Sequence, residues 1–141
     1  MPFLRWGLSF MDRGIIRNRE QAQQIRDFSG LRWGTITPTD IDGFFEINKE
    51  LFVFIEIKFE GREMPYGQRL GLERVVDLLQ KEKHAILIIA KHNEKIGVDI
   101  DAANCEVVRY RFREQWVIPK NPVRLKEFCD WFIESCLGYL P

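Results

Sequence analysis

The chain is 141 residues long, about one domain of polypeptide, and its 45% hydrophobic content with eleven Phe and four Trp is ample for a packed core and excludes a disordered segment. Twenty-one Lys and Arg balance 21 Asp and Glu, which excludes a protein held to nucleic acid by bulk positive charge. The longest clean apolar run, Ala85–Ala90, is far shorter than the ~20 residues of a membrane helix, so no membrane partner is expected.

Arg5 and Asp12 interrupt the apolar N-terminal stretch, which makes a poor signal peptide. Residues 17–28 read as a weakly amphipathic helix with Ala22, Ile25 and Phe28 inward, stopped by Ser29-Gly30. Residues 31–39, with Gly34 and Pro38, read as a turn or short strand. Residues 41–47 and 51–58 are rich in Phe, Ile and Val and read as strands, joined by a hairpin loop at Asn48-Lys49-Glu50. Residues 60–67 form a loop, and Pro65 opens a helix over about 66–82. Its apolar stripe is Leu72, Val75, Val76 and Leu79. His84–Ala90 is apolar on both faces and reads as a central strand beside a parallel neighbour. Residues 104–112 and 115–118 are further strands. A last helix has Asn121 as N-cap and Pro122 at its first position; Leu125, Phe128, Cys129, Phe132 and Cys136 share one face, and Gly138 stops it. The order α-β-β-α-β-β-α, with room for an extra strand near residue 35, predicts a single α/β domain spanning 1–141: a mixed sheet with helices on both sides.

Charge is uneven. Residues 1–39 hold six Arg and three acids, residues 40–64 seven acids and three bases, and the remainder is nearly balanced. An anionic site within a cationic rim and mere scatter both produce that pattern. The acidic block contains the informative stretch. On residues 51–58 side chains alternate, so Phe54, Glu56 and Lys58 share one face and Val53, Ile55 and Ile57 the other. Folding the hairpin about Lys49 sets Phe44 opposite Phe54, Asp42 opposite Glu56 and Asp40 opposite Lys58. Opposed like charges ~5 Å apart are destabilising, and a divalent cation between Asp42 and Glu56 removes the conflict. Two carboxylates with a backbone carbonyl and waters suit Mg²⁺. A solvated polar sheet face, with Asp40 paired to Lys58, explains the same residues. Gln68 lies four residues before Leu72, on the inward stripe of the middle helix, facing the end of the Glu56–Lys58 strand.

Asp42, thirteen residues, then Glu56-Ile57-Lys58 on the next strand, then a helix with Gln68, resembles the PD-(D/E)XK nuclease superfamily. The likeness is closest to small phage- and prophage-type members with a TDIDGF…FIEIK…PYGQRL…LER pattern, here Thr39–Phe44, Phe54–Lys58, Pro65–Leu70 and Leu72–Arg74. It covers roughly residues 20–110. The resemblance implies a restriction-endonuclease-like fold with an α-β-β-β-α-β core and Mg²⁺-dependent (or Mn²⁺-dependent) hydrolysis of DNA phosphodiester bonds. It implies Asp42 and Glu56 as metal ligands with the Ile57 carbonyl, and Glu20 on the first helix as a further ligand. Lys58 is then the residue that assists the attacking water, and Gln68 matches the glutamine that follows this motif in exonuclease-like members. The family's Pro-Asp dipeptide is absent: Pro38 precedes Asp40 by two and Asp42 by four, and the register favours Asp42. The superfamily includes inactive members, so the rival reading is a silent nuclease fold that binds nucleic acid or protein. Cutting both strands suggests a homodimer by symmetry.

Outside this cluster, His84 and His92 form no zinc motif. Arg109, Arg111 and Arg113 alternate along a strand and share a face, which is either solvated or set against phosphates. The four Trp are expected as core or interface anchors. Three cysteines without a CxxC exclude a disulfide scaffold and point to buried thiols in a reducing cytoplasm.

Overall fold

A computed structural model describes residue 27 and residues 29–138, so the expected helix over 17–28, Glu20 included, lies outside the described residues except for Asp27. The chain divides into two units, 1–38 and 39–141. In the first, the described residues form a turn and no extended strand: Trp33 and Ile36 exchange backbone hydrogen bonds of 2.9 and 3.0 Å around Gly34, whose φ of +64° suits glycine.

In the second unit, β-branched and aromatic runs form five strands. They are β1 (Gly43–Ile47), β2 (Leu51–Phe59), β3 (His84–His92), β4 (Glu106–Phe112) and β5 (Gln115–Val117), with helix α1 (Tyr66–Leu79) between β2 and β3 and helix α2 (Leu125–Leu137) after β5. The sheet order is β1-β2-β3-β4-β5. Only β2 and β3 are parallel; α1 supplies the crossover that parallel neighbours require. β3 is central and dry on both faces, as its unbroken apolar run predicts. Two strands precede α1, and the expected extra strand near residue 35 is replaced by the bridged turn.

Two cores lie on opposite faces. Leu51, Val53 and Ile55 of β2 pack with Ile86, Ile88 and Ala90 of β3 against Leu125, Phe128, Cys129, Phe132 and Ile133 of α2. Phe54, Ala85, Leu87 and Ile89 pack with Met64 against Leu72 and Val76 of α1. Each fully buried aliphatic side chain contributes about 1.5–3 kcal/mol.

Several boundaries differ from expectation. α2 begins at Leu125 rather than at Pro122, because residues 123–125 pair with the start of β4: Val107 N–H donates to Val123 C=O at 2.9 Å and Leu125 N–H to Cys105 C=O at 2.7 Å. Tertiary pairing overrides the Asn-Pro start signal, and Arg124 with Glu127 forms the cap instead. Gly138 ends α2 in the left-handed region, φ +74°. On α2 the fifth buried residue is Ile133, with Cys136 half-buried. α1 ends at Leu79, and Val75, expected inside, is exposed. No described helix is long and apolar enough to cross a membrane.

Candidate active site

The hairpin register is the one symmetry about Lys49 predicts. Phe44 pairs with Phe54 and Gly43 with Ile55, and the next step outward brings Asp42 to Glu56. There the ladder changes character. Asp42 N–H donates to Glu56 Oε2 at 2.9 Å, and Ile57 N–H donates to Asp42 Oδ2 at 2.8 Å. Each carboxylate takes the backbone of the opposite segment, which holds the two side chains together just before β1 begins.

Glu56 is 1% exposed. Its Oε1 accepts from Gln68 Nε2 at 2.8 Å and lies 3.5 Å from Lys58 Nζ. Lys58 Nζ in turn donates to Gln68 Oε1 at 3.3 Å. Gln68 sits in the first turn of α1, buried on the same stripe as Leu72 and Val76, so the helix aims its amide at the sheet. Burial pushes the Glu56 carboxyl above its ordinary range and the Asp42 carboxylate adds to this; the Asp42 N–H and Lys58 oppose it. No buried side-chain nitrogen or oxygen among the described residues lacks a partner.

Asp42, Glu56, Ile57, Lys58 and Gln68 are thus brought together. Asp40 is placed differently from expectation. Gln68 Nε2 donates to its carbonyl at 3.2 Å and approaches its Oδ1 at 3.4 Å, so Asp40 meets the amide rather than Lys58. The chain is no longer in the ladder there, and the pairing symmetry lapses with it.

Among the described residues no three His, Cys, Asp or Glu side chains group as a metal site. Two carboxylates with a carbonyl are an all-oxygen set. That set fits Mg²⁺, which is commonly held by one or two carboxylates and retains waters, and it does not fit zinc, which prefers N and S donors. His84 and His92 stand at the two ends of the nine-residue β3, roughly 26 Å apart at ~3.3 Å per residue, and cannot share an ion.

Arg109 and Arg111 share the α1 face, opposite Ile89 and Leu87 and both over the Trp116 ring, and Arg113 does not. Arg111 makes a two-pronged pair with Asp77 of α1, 2.9 and 2.7 Å. Arg113 falls in the β4–β5 turn with φ +52°, off the face it was expected to share. Arg109 lies over the Trp116 ring, 5.1 Å from its centroid. Trp116 Nε1 donates to Glu73 at 2.6 Å, which makes Glu73 more than the surface partner of Arg69, 3.9 Å away. Of the three described Trp, Trp33 and Trp131 are exposed, and Trp116 is half-buried and packs against the α1-side core. The cysteines are free, with Cys105 and Cys129 buried.

Fold and cluster together define a mixed α/β domain with a buried carboxylate–amide–ammonium group at the end of its hairpin. Compared with protein-family models, curated proteins and solved structures, the chain matches none of them.

Proposed function

We propose that this chain is a metal-dependent nuclease of the PD-(D/E)XK type, with the restriction-endonuclease-like form of the mixed sheet, hydrolysing DNA phosphodiester bonds. The observation that carries the reading is Glu56: a carboxylate 1% exposed, opposite Asp42 on the paired segment and in contact with both Lys58 and Gln68. A fold gains nothing from burying that charge for stability alone. Asp42, Glu56 and the Ile57 carbonyl would hold Mg²⁺ or Mn²⁺. Such an ion supplies an activated water and neutralises charge developing on the phosphate.

The protein's own contributions follow from its contacts. Lys58 presents an ammonium beside the carboxylates, where it orients a water by hydrogen bonding and meets the added negative charge of the transition state. Gln68 holds Lys58 and Glu56 at fixed spacing through the two ends of its amide. Asp42, exposed and anchored to Ile57, is the carboxylate open to solvent.

A second reading is a silent nuclease fold that binds nucleic acid or protein. It is favoured by one feature: both Glu56 oxygens already have protein partners, which stabilises a metal-free state. Plasmid and linear DNA incubated with the protein in Mg²⁺, Mn²⁺ or EDTA separate the two. The nuclease reading expects cleavage that EDTA abolishes and that Lys58→Ala lowers by about 10²–10³-fold. Absence of cleavage in either metal, with DNA binding intact, selects the silent fold.

A further inference from the structure

Arg109 is singled out by what it lacks. Among the described residues its guanidinium has no hydrogen bond and no acidic partner; its contact is the Trp116 ring. An arginine carries five donors, and Arg111, two residues on, commits two of its own to Asp77. Arg109 instead lines an open cleft of about 550 Å³ together with Tyr66, Arg69, Trp116, Met64 and Glu63. Two cation–aromatic pairs face this space: Arg109 over Trp116, and Arg69 over Tyr66 at 5.6 Å. Tyr66 is 68% exposed. Glu63 is the one acid in the lining, while Glu73, beneath, accepts from Trp116 at 2.6 Å and lies farther, 3.9 Å, from Arg69.

The cleft is tied to the candidate active site by the sheet. Glu56 pairs with Ile89, and Ile89 pairs with Arg109, so the three stand in one row across adjacent strands on the α1 face. Strands are ~4.8 Å apart, which sets Arg109 about 10 Å from Glu56 along that row. An unpaired strand, with its backbone extended rather than wound into a duplex, covers that span within a few nucleotides. The row is made by a register shift between Ile89 and Ala90. Val107 packs on the α2 face, and simple alternation would carry Arg109 to that face as well. The bulge turns it toward α1, as bulges re-aim side chains. From the other side, Tyr66 and Arg69 flank Gln68 on the first turn of α1.

We propose that this cleft binds an unpaired nucleotide of a DNA strand, with the base on the exposed Tyr66 ring and a phosphate on Arg69 and on Arg109, which Trp116 backs, while the strand continues to Glu56 and Lys58. The inference rests on the nuclease reading and adds to it the substrate class: single-stranded or frayed DNA rather than intact duplex. Aromatic faces accept any base, and guanidinium groups match phosphate by paired donors. An intact duplex keeps its bases stacked and offers none to the ring.

The test is binding of labelled dT12, blunt 12-base-pair duplex and dTMP to the full chain in EDTA, read by fluorescence anisotropy and competition. The expectation is dT12 bound at least tenfold tighter than duplex or dTMP. Tyr66→Ala and Arg109→Ala each weaken dT12 by about tenfold, within the range for one lost base–aromatic contact. Lys126→Ala, which removes a surface charge on the other face, leaves binding unchanged. Circular dichroism confirms that the variants fold, and Tyr66 is exposed enough to be replaced safely. The cleft assignment is overturned by equal affinity for duplex, by dTMP competing as well as dT12, or by folded Tyr66 and Arg109 variants that bind like the parent. Its failure is distinct from that of the nuclease reading. Cleavage abolished by Lys58→Ala but indifferent to Tyr66 and Arg109 removes the cleft alone. Selective dT12 binding lost in both variants, without cleavage in any metal, keeps the cleft and removes the hydrolysis.

Discussion

The two faces of β2 are built from one nine-residue run and obey opposite rules. Toward α2 the strand shows Leu51, Val53 and Ile55, all buried among apolar neighbours. Toward α1 it begins in the same way with Phe54 and then turns to Glu56 and Lys58, with Gln68 completing a hydrogen-bonded group. The first face holds the domain together by dry packing. The second gives up that packing at one end and surrounds a buried charge with donors. Local rules broken without gain to stability are expected where a fold carries its chemistry, which is why the proposed reading rests on Glu56, Lys58 and Gln68.

The largest stability loss is expected on the dry face. Phe132 is 2% exposed and meets Phe112 edge-on, ring centroids 5.9 Å apart. Phe132→Ala should cost about 3–5 kcal/mol in urea unfolding, with metal affinity unchanged. A loss below about 1 kcal/mol would mean that this face is not the core. The matching thiol experiment is simple: burial pushes the Cys129 thiol up to about 11, so at pH 8 it should resist alkylation in the folded chain and react in denaturant.

Glu56→Gln is expected to do the reverse of Phe132→Ala: it removes cleavage by about 10²–10³-fold while raising the melting temperature at pH 8 in EDTA. The sign follows from burial. The folded carboxyl holds its proton to higher pH than the unfolded one, whose ordinary value is 4.5. Between these values the folded state binds more protons, so stability falls as pH rises through that window. The parent should therefore lose stability from about pH 4.5 upward in EDTA, and Glu56→Gln should lose less. Mg²⁺ requires the ionised form, so its stabilising effect should be larger at pH 8 than at pH 5.5. A melting curve that Mg²⁺ leaves untouched at both pH values would remove the metal from this site.

Much of this contrast was legible in the sequence, because period-two alternation and hairpin symmetry are local. Phe44 opposite Phe54 follows from counting outward from Lys49, and the inward position of Gln68 follows from its spacing to Leu72. Other features depend on distant partners. The start of α2 is set by the pairing of Val123 with Val107, which no cap signal reveals. The bulge beside Ala90 decides which way Arg109 points, and no residue in EVVRYRF marks it. Asp40 departs from its expected place opposite Lys58 because register symmetry holds only as far as the ladder does. The i, i+4 spacing of Arg69 and Glu73 shows in the sequence, whereas the bond from Trp116 to Glu73 crosses 43 residues.

A smaller effect separates the pairing that ties the two regions together from the chemistry. Arg111 and Asp77 join β4 to α1 through two short, partly buried bonds, with side chains 15% and 21% exposed. Arg111→Ala should cost about 1.5–3 kcal/mol, as for hydrogen bonds to charged groups. Cleavage per folded molecule should change little, since Arg111 is occupied by Asp77. A loss of activity larger than the loss of folded protein would place Arg111 with Arg109 in substrate binding.

The smallest expected effect tests whether distance alone measures an ion pair. Lys126 and Asp130 on α2 are 2.8 Å apart, closer than Lys58 and Glu56 at 3.5 Å. Contact length ranks the α2 pair first; burial ranks it last, because its side chains are 62% and 45% exposed while Glu56 is 1% exposed. In water both α2 charges are solvated before and after pairing, and such i, i+4 pairs are worth about 0.3–0.5 kcal/mol. Lys126→Ala should therefore shift the urea midpoint barely beyond error, and 0.5 M NaCl should erase even that. Lys58→Ala leaves a buried carboxylate without its cation, so it should raise the pH at which Glu56 ionises and steepen the loss of stability toward pH 8. If the two variants prove equal in stability across pH, Glu56 is already neutral in the folded chain. The polar face of β2 would then be held by the Gln68 amide rather than by charge.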